Sequence, residues 1–230
     1  MSSLGVRTVR ILALGDIHGA VDKVLRIFDK EPDYDVIVVF GDVAPYGSPR
    51  QGIEVLRSIC RRVEVKPILM VPGNMDDPSI YNEIEREFSN AKLIHGRNVM
   101  LDNINFVGVG GSPPTPFKTV FELDEEEILR ILERAVSGIT LNNLVLVSHA
   151  PPFNTKCDVV TAGMHVGSKA VRAFIERVKP LLCICGHIHE SRNIDKLENT
   201  VIVNPGPARH GFYASIDIEH GTVNAVLKRI

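Results

Sequence analysis

The chain has 230 residues, of which 44% are hydrophobic and 23% charged, and its formal net charge is −2 at pH 7. These values are ordinary for a globular protein with a sizeable core, and we expect one domain over residues 1–230. The small negative charge argues against a broad basic surface for nucleic acid or anionic membrane, and no apolar stretch is long enough to span a bilayer.

Strands and helices alternate along the first half of the chain. Apolar runs predict three strands, at 8–14, 35–40 and 66–71. Apolar residues at helical spacing predict three helices, at 21–30, 50–62 and 79–88. This alternation is typical of a parallel sheet with right-handed crossovers. Two short strands are expected next, at 92–94 and 104–109, and the proline-rich segment 111–124 is expected to be a loop that shapes a pocket.

The second half repeats the pattern and then changes to hairpins. A helix with an acidic first turn is predicted at 125–136, a strand at 143–147, a helix at 168–178 and a strand at 181–185. The remaining tail is typical of short strands, with a hairpin turn at 218–223 in which Gly221 supplies a positive φ.

Polar motifs follow five of the apolar runs at the point where glycine, serine or proline appears. They are Asp16-Ile17-His18, Gly41-Asp42, Gly73-Asn74, His149 and Gly186-His187-Ile188-His189. Ligands of α/β sheets bind beyond the carboxyl ends of the strands. Carboxylate, imidazole and amide groups are metal ligands. The five motifs together therefore predict one shared metal site.

Each motif taken alone has a second interpretation. Asp16 and Asp42 are compatible with a helix cap or a turn, Asn74 with a turn, and His149 with a hydrogen-bonded core histidine. The His187-x-His189 pair is the most informative single motif, because two imidazoles beyond one buried strand can both reach an ion.

The joint order of these motifs resembles the calcineurin-like metallophosphoesterase superfamily from residue 11 to about residue 207. The resemblance implies an α/β fold, a four-layer αββα sandwich of mixed sheets with a dinuclear metal site at the strand C-terminal ends. It implies that Asp16, His18 and His189 hold one divalent ion, that Asn74, His149 and His187 hold the other, and that Asp42 bridges them. The mixed donors suit Mn, Fe, Zn, Ni or Co, with manganese as our working choice. The implied reaction is phosphoester hydrolysis by a metal-bridging hydroxide.

One position departs from the family pattern, which commonly has Gly-Asn-His where this chain has Gly73-Asn74-Met75. A thioether cannot protonate a leaving group, and losing a general acid costs roughly 10²–10⁴-fold in rate. We therefore expect phosphodiesters to be preferred over monoesters, as in several family members without this histidine. His165 is the candidate proton donor, although an ordinary loop histidine is the alternative, and the helix that follows it offers an N-terminus that could bind phosphate. His210 is a second candidate. A catalytically weak scaffold with the same fold is the alternative function.

Several supporting predictions concern neighbours, partners and location. Asp76 and Glu190 are candidates to orient metal-bound histidines, with a helix cap and a solvent-facing charge as alternatives. His95 and His220 are interpreted as surface histidines, and a solvated helix face accounts for Arg57, Arg61 and Arg62 better than a nucleic-acid groove does. We expect a small phosphoester substrate and no membrane partner; a nucleic-acid partner is disfavoured but stays open, as do homo-oligomers. The four cysteines are interpreted as buried apolar groups, and together with the start MSSLGVRTVR, which lacks the features of a signal peptide, they indicate the cytoplasm.

Overall fold

The structure is a computed structural model that describes residues 7–63 and 65–230. Residues 1–6, on which part of the prediction about the start of the chain rests, lie outside this range. The twelve strands of the described residues are β1 Val9–Leu14, β2 Val36–Val39, β3 Ile68–Met70, β4 Ala91–Leu93, β5 Asn98–Leu101, β6 Ile104–Val109, β7 Leu144–Ser148, β8 Leu182–Ile184, β9 Asn193–Leu197, β10 Thr200–Asn204, β11 Phe212–Glu219 and β12 Thr222–Arg229. The five α-helices of the same residues are α1 Val21–Lys30, α2 Gly52–Arg62, α3 Ser79–Glu87, α4 Glu125–Ala135 and α5 Lys169–Val178.

The strands form two six-stranded sheets of mixed direction, with the orders β12-β11-β1-β2-β3-β4 and β5-β6-β7-β8-β10-β9. In the first sheet β1 to β4 run parallel, and β11 pairs with β1 in the opposite direction. In the second sheet β6, β7, β8 and β10 run parallel, whereas the edge strands β5 and β9 are antiparallel to their neighbours.

Three apolar clusters separate four layers. One packs α1, α2 and α3 against the first sheet, a second lies between the two sheets, and a third packs α4 and α5 against the second sheet. The strands between helices are buried on both faces, which explains why they are continuous apolar runs in the sequence. The predicted αββα sandwich of mixed sheets is confirmed.

The structure differs from the prediction at one strand and at the first or last residues of several helices and strands. Strand β5 was missed; it joins β6 through Asp102 and Asn103, whose φ values of 46° and 62° are those of a two-residue hairpin turn. The hairpin at 218–223 is confirmed by the β11–β12 pairing. No helix within the described residues has the length and apolarity that crossing a bilayer requires.

The cysteines and the arginines of α2 behave as expected. All four cysteines are buried and unpaired, and Cys183 and Cys185 lie in the same cluster beneath α4 and α5. The arginines of α2 pair with carboxylates of their own or neighbouring helices, as Arg57 does with Glu54 and Glu87. A solvated, ion-paired helix face therefore accounts for them.

Candidate metal centre

All five polar motifs lie at one edge of the sandwich. Asp16 and His18 follow β1, Asp42 follows β2, and Asn74 follows β3, the three being parallel neighbours in the first sheet. His149 follows β7, and His187 and His189 follow β8, which are parallel neighbours in the second sheet. Because the carboxyl ends of both sets point the same way, seven side chains from two sheets converge on one place.

The backbone at this edge adopts conformations that side-chain-bearing residues rarely take. Asp16, His18, Asp42 and His187 have φ values of 49°, 45°, 49° and 68°. Each left-handed residue of this kind costs free energy and persists only when its surroundings hold it. Backbone hydrogen bonds hold two of these segments together, with the amides of Ile17 and His18 donating to the carbonyl of Asp42 at 2.8 and 3.0 Å. Such strain is concentrated at functional sites.

The glycines that precede the motifs allow a close approach. A Cβ on Gly73 would lie 2.0 Å from Oδ1 of Asp42, and a Cβ on Gly186 would lie 2.5 Å from Oδ2 of Asp16. Any larger residue would therefore push a carboxylate out of the cluster.

One group of three side chains lies on the outer side of the cluster. Asp16, His18 and His189 offer ligand atoms that all lie within 4.8 Å of one another, close enough to hold one ion. Nε2 of His18 is 3.3 Å from Nε2 of His189, and Nε2 of His189 is 3.6 Å from Oδ1 of Asp16. Nδ1 of His18 is buried without a hydrogen-bond partner in the described part of the chain.

A second group lies deeper. Asp16, Asp42 and His149 also offer atoms within 4.8 Å of one another. Nε2 of His149 is 3.6 Å from Oδ1 of Asp42 and 2.9 Å from Oδ1 of Asn74. The ring of His187 contacts that of His149 at 5.1 Å between centroids, although His187 belongs to neither group of three. The structure thus brings all seven predicted residues together.

Burial and neighbouring charge determine the protonation of the carboxylates. Burial and the nearby carboxylates of Asp76 and Asp16 raise the pKa of Asp42 well above its ordinary value. Burial acts in the same direction on Asp16, but the closeness of His189 and the charges of the neighbouring histidines outweigh burial and lower the pKa of Asp16 to about 2. No lysine or arginine lies within 4.0 Å of either carboxylate in residues 7–63 and 65–230. The neighbouring histidines favour the charged form of Asp16, whereas the charge of Asp42 would be stabilised by a bound cation.

Burial also keeps most of the imidazoles neutral. The pKa of His18 falls to about 4 and that of His187 to about 3, chiefly because burial disfavours the charged ring. The pKa of His149 is lowered for the same reason. Neutral rings keep a lone pair for a metal, and Nε2 of His18 and Nε2 of His189, 3.3 Å apart, are close enough to share one cation. The donors and the charge balance therefore fit divalent cations.

Carbonyl and amide groups, not carboxylates, position the deepest histidine. Nδ1 of His149 is 2.8 Å from the carbonyl oxygen of Phe40, which directs Nε2 into the cluster. The prediction that Asp76 orients a histidine is wrong, because Asp76 accepts hydrogen bonds from the amides of Val43, Ala44 and Gly73 and from the phenol of Tyr81. Glu190 likewise accepts from the amide of Thr161 instead of a histidine.

The predicted loop at 111–124 reaches the cluster. No regular helix or strand lies between β6 and α4. Nδ2 of Asn74 donates to Oγ1 of Thr119 at 2.9 Å, and the amide of Phe121 donates to the carbonyl of Asn74 at 2.9 Å. The loop therefore orients Asn74 from the side opposite His149.

His165 is paired with a buried carboxylate outside the cluster. Its Nδ1 is 2.7 Å from Oδ1 of Asp158, and its side chain is 34% exposed. Within the described residues, its hydrogen bond is to Asp158 and its ring contact is with Phe153, neither of which is one of the seven. The segment that carries it is joined to the turn after His189 through hydrogen bonds from Ser191 to Val159 and from Thr161 to Glu190.

The N-terminus of α5 is not available to phosphate, so that expectation is wrong. The carboxylate of Glu125, the first residue of α4, accepts hydrogen bonds from the amides of Lys169 and Ala170 and from the hydroxyl of Ser168. Glu125 begins α4, but its carboxylate caps the N-terminus of the next helix, α5.

The remaining histidines lie outside the cluster. His210 is exposed, with its ring 6.5 Å from that of Phe212. The interpretation of His95 as a surface histidine is wrong, because it is partly buried and its Nδ1 accepts a hydrogen bond from the amide of Gly110 at 2.9 Å. His220 is exposed in the β11–β12 turn, as expected.

Sequence reasoning missed two residues at the rim of the cluster, Tyr46 and Arg209. Tyr46 stacks on the ring of His18, and Arg209 donates a hydrogen bond to its phenol oxygen. A signal was available near each of them in the sequence. Tyr46 lies four residues after Asp42, and Arg209 lies two residues after the turn-forming segment Asn204-Pro205-Gly206-Pro207.

The chain is similar in sequence and in fold to several known proteins. The family model described as calcineurin-like phosphoesterase matches residues 9–191. A protein of Methanocaldococcus jannaschii named "Uncharacterized protein MJ1162" is 42% identical over 214 residues, 90% of this chain and 93% of that protein. The structure of TT1561 of Thermus thermophilus has a TM-score of 0.74 at 17% identity, covering 96% of this chain and 99% of that one. A solved archaeal phosphodiesterase has a TM-score of 0.56 at 14% identity, covering 96% of this chain and all 100% of its own. The two structural likenesses concern the fold alone.

Proposed function

The chain belongs to the calcineurin-like phosphoesterase family, and from this membership we propose that it is a hydrolase that cleaves phosphoesters with two bound divalent cations. The observation that carries the proposal is the pair of buried carboxylates, Asp16 and Asp42, which have no lysine or arginine partner within 4.0 Å in the described residues. Burying two carboxylates next to each other is costly, and divalent cations would supply positive charge beyond that of the neighbouring histidines.

The proposed ligands divide between the two ions as the family pattern implies. Asp16, His18 and His189 would hold one ion, in agreement with the first group of atoms within 4.8 Å. Asn74, His149 and His187 would hold the other, and the contacts of His149 with Asn74 and His187 support this set. Asp42 approaches both groups, at 3.9 Å from Nε2 of His18 and 3.6 Å from Nε2 of His149, as a bridging residue should.

Bound divalent ions would supply Lewis-acid stabilisation of the phosphoryl oxygens and would lower the pKa of water at the site. Other groups of the chain hold these ligands in position. The carbonyl of Phe40 keeps His149 in one orientation, and the amide of Met75 donates to Oδ1 of Asp42 at 2.8 Å. These contacts reduce the reorganisation that substrate binding requires.

We further propose that phosphodiesters are preferred to monoesters. Met75 is half-buried beside Asp42 and offers no acid at the position where the family pattern commonly has histidine. The solved archaeal phosphodiesterase shares the fold of this chain.

His165 is the proposed proton donor to the leaving group. Asp158, which is fully buried, accepts from Nδ1 of His165, so that the other ring nitrogen is free to carry or release a proton. The amides of Asn154, Thr155 and Gly167 hold the Asp158 carboxylate in place. This arrangement fixes the orientation of the imidazole.

Manganese and a cytoplasmic location complete the proposal. The set of carboxylate, amide and imidazole donors suits manganese as well as Fe, Zn, Ni or Co. The four cysteines are unpaired and buried, in keeping with a reducing compartment.

The alternative is a metal-binding scaffold with little catalysis, and Met75 is the observation that favours it. Hydrolysis of bis-p-nitrophenyl phosphate and p-nitrophenyl phosphate by metal-stripped protein, with and without added Mn²⁺, separates the two. Metal-restored turnover that is faster on the diester supports the proposal, whereas faster turnover of the monoester contradicts the diester preference. Two equivalents of bound metal with no turnover of either ester would favour the scaffold.

A further inference from the structure

Two side chains close the outer rim of the metal cluster from different parts of the chain. Tyr46 lies in the loop after β2, and Arg209 lies in a single 3₁₀ turn, Ala208–His210, between β10 and β11. Backbone hydrogen bonds fix that turn against the end of β1, because the amide of Ala208 donates to the carbonyl of Gly15 at 2.9 Å and that of Arg209 to the carbonyl of Asp16 at 3.3 Å. The position of Arg209 relative to Asp16 is therefore set by the main chain.

The side chain of Arg209 is held beside the cluster by a neutral oxygen. Nη1 of Arg209 donates to the phenol oxygen of Tyr46 at 3.0 Å, and its guanidinium carbon is 5.4 Å from the centre of that ring. The Tyr46 ring in turn stacks on His18, with 4.2 Å between centroids and 10° between planes. Arginine has five N–H donors, and this contact uses one of them.

The charge of Arg209 is not paired with a carboxylate. No aspartate or glutamate oxygen of residues 7–63 and 65–230 lies within 4.0 Å of its guanidinium nitrogens. The guanidinium nevertheless lies beside the cluster, because the Tyr46 ring whose phenol it contacts is stacked on His18. A guanidinium beside residues that bind divalent cations is repelled by those cations unless an anion lies between them. The guanidinium fork matches the oxygens of a phosphoryl group.

We propose that Arg209 binds an anionic oxygen of the substrate's phosphoryl group and that Tyr46 holds the guanidinium in position to do so. This inference rests on the proposed function. It adds a side chain of the rim to the groups that would bind the oxygens of the substrate's phosphoryl group.

The test measures the binding of inorganic phosphate to Mn²⁺-loaded protein by titration calorimetry, together with the bound metal content. Arg209→Gln should weaken phosphate binding about ten- to hundredfold, because it removes a charge-assisted hydrogen bond. Tyr46→Phe keeps the ring that covers His18 and removes only the anchoring oxygen, so the expected loss is smaller, roughly two- to tenfold. Arg130→Gln, on the exposed face of α4, is the matched control and should bind phosphate as wild type does.

Several results would overturn the inference. Unchanged phosphate affinity in Arg209→Gln, with wild-type metal content, would show that the guanidinium does not contact the anion. Loss of metal along with phosphate binding would assign Arg209 to holding the metal site instead. If Arg209→Gln does not fold, Arg209→Lys provides the same test, because lysine keeps the positive charge but not the forked guanidinium. Arg209→Lys should weaken phosphate binding about tenfold, and an unchanged phosphate affinity would refute the inference. If the wild-type protein binds phosphate but hydrolyses neither ester, the proposed function is contradicted. The inference about Arg209 is then judged by the phosphate affinities of wild type and variants alone.

Discussion

Asp76 is expected to be the residue that holds the ligand-bearing loops together, and Asp76→Asn should destabilise both the fold and the site. Its fully buried carboxylate accepts four hydrogen bonds, from Gly73 at 2.8 Å, Ala44 at 2.9 Å, Val43 at 3.3 Å and the phenol of Tyr81 at 2.6 Å. Val43 and Ala44 directly follow Asp42, and Gly73 directly precedes Asn74, so one carboxylate ties the loop after β2 to the loop after β3. Burial and the charge of Asp76 raise the pKa of Tyr81 well above its ordinary value, which keeps the phenol protonated as a donor.

The magnitude follows from the number and kind of bonds. An asparagine amide places an N–H₂ group against at least one of these donors, and each hydrogen bond to a charged group contributes about 1.5–3 kcal/mol. With partial weakening of the others we expect a loss of about 2–4 kcal/mol in the free energy of unfolding. For a chain of this size the melting temperature should fall by roughly 4–16 °C. Thermal and denaturant unfolding, with Mn²⁺ affinity measured on the same samples, check both effects.

Asp77→Asn is the control, because the neighbouring carboxylate has the same chemistry in a different place. Asp77 is partly exposed and pairs with Arg50 at 3.0 Å and with the amide of Ser79 at 2.9 Å. Its loss should cost less than about 1 kcal/mol and leave Mn²⁺ affinity unchanged. Equal stability and equal metal affinity in Asp76→Asn and wild type would refute the role argued for Asp76.

Three further predictions address the cluster and its surroundings. Asp42→Asn and His187→Ala should each abolish Mn²⁺-dependent turnover while the circular dichroism spectrum stays that of a folded chain; wild-type rates would contradict the ligand set. Met75→His should accelerate esters with poor leaving groups more than nitrophenyl esters, and equal effects on both classes would mean that position 75 does not face the leaving group. Burial lowers the pKa of His95 from 6.5 to about 4, so between pH 6.5 and pH 4 the unfolded chain binds more protons than the folded chain. The free energy of unfolding should therefore decrease as the pH drops through this window, by up to ~3 kcal/mol. His95→Asn, which keeps an acceptor for Gly110, should show a shallower decline in denaturant midpoints from pH 7 to pH 4.5, and parallel declines would contradict the assignment.

Much of the fold could be predicted because its strands are buried on both faces. A run such as Ile37–Val39 is apolar at every position, and helices such as α1 have an apolar face at regular spacing, so both are visible without a structure. Strand β5 was missed because it is a short edge strand whose residues are half-exposed, which gives no continuous apolar run. Its Asp102-Asn103 turn was the available signal, since aspartate and asparagine tolerate positive φ.

The partners of buried polar groups could not be predicted, because they depend on contacts between distant segments. Asp76 could have capped a helix, oriented a histidine or bound backbone amides, and each choice has the same local sequence. Glu125 was interpreted from its own helix, whereas its partners are the first amides of α5, more than forty residues later.

The sequence by itself determined which polar side chains lie at the carboxyl ends of buried strands. A polar residue placed directly after a buried parallel strand lies at the carboxyl edge of its own sheet, so Asp16 and Asp42 share the edge of one sheet and His149 lies at that of the other. Only the tertiary structure decided what holds and surrounds them. His149 is oriented by the carbonyl of Phe40, 109 residues away, and Arg209 reaches the phenol of Tyr46 across 163 residues. Contacts of that separation arise when two sheets pack face to face, and no local pattern of residues encodes them.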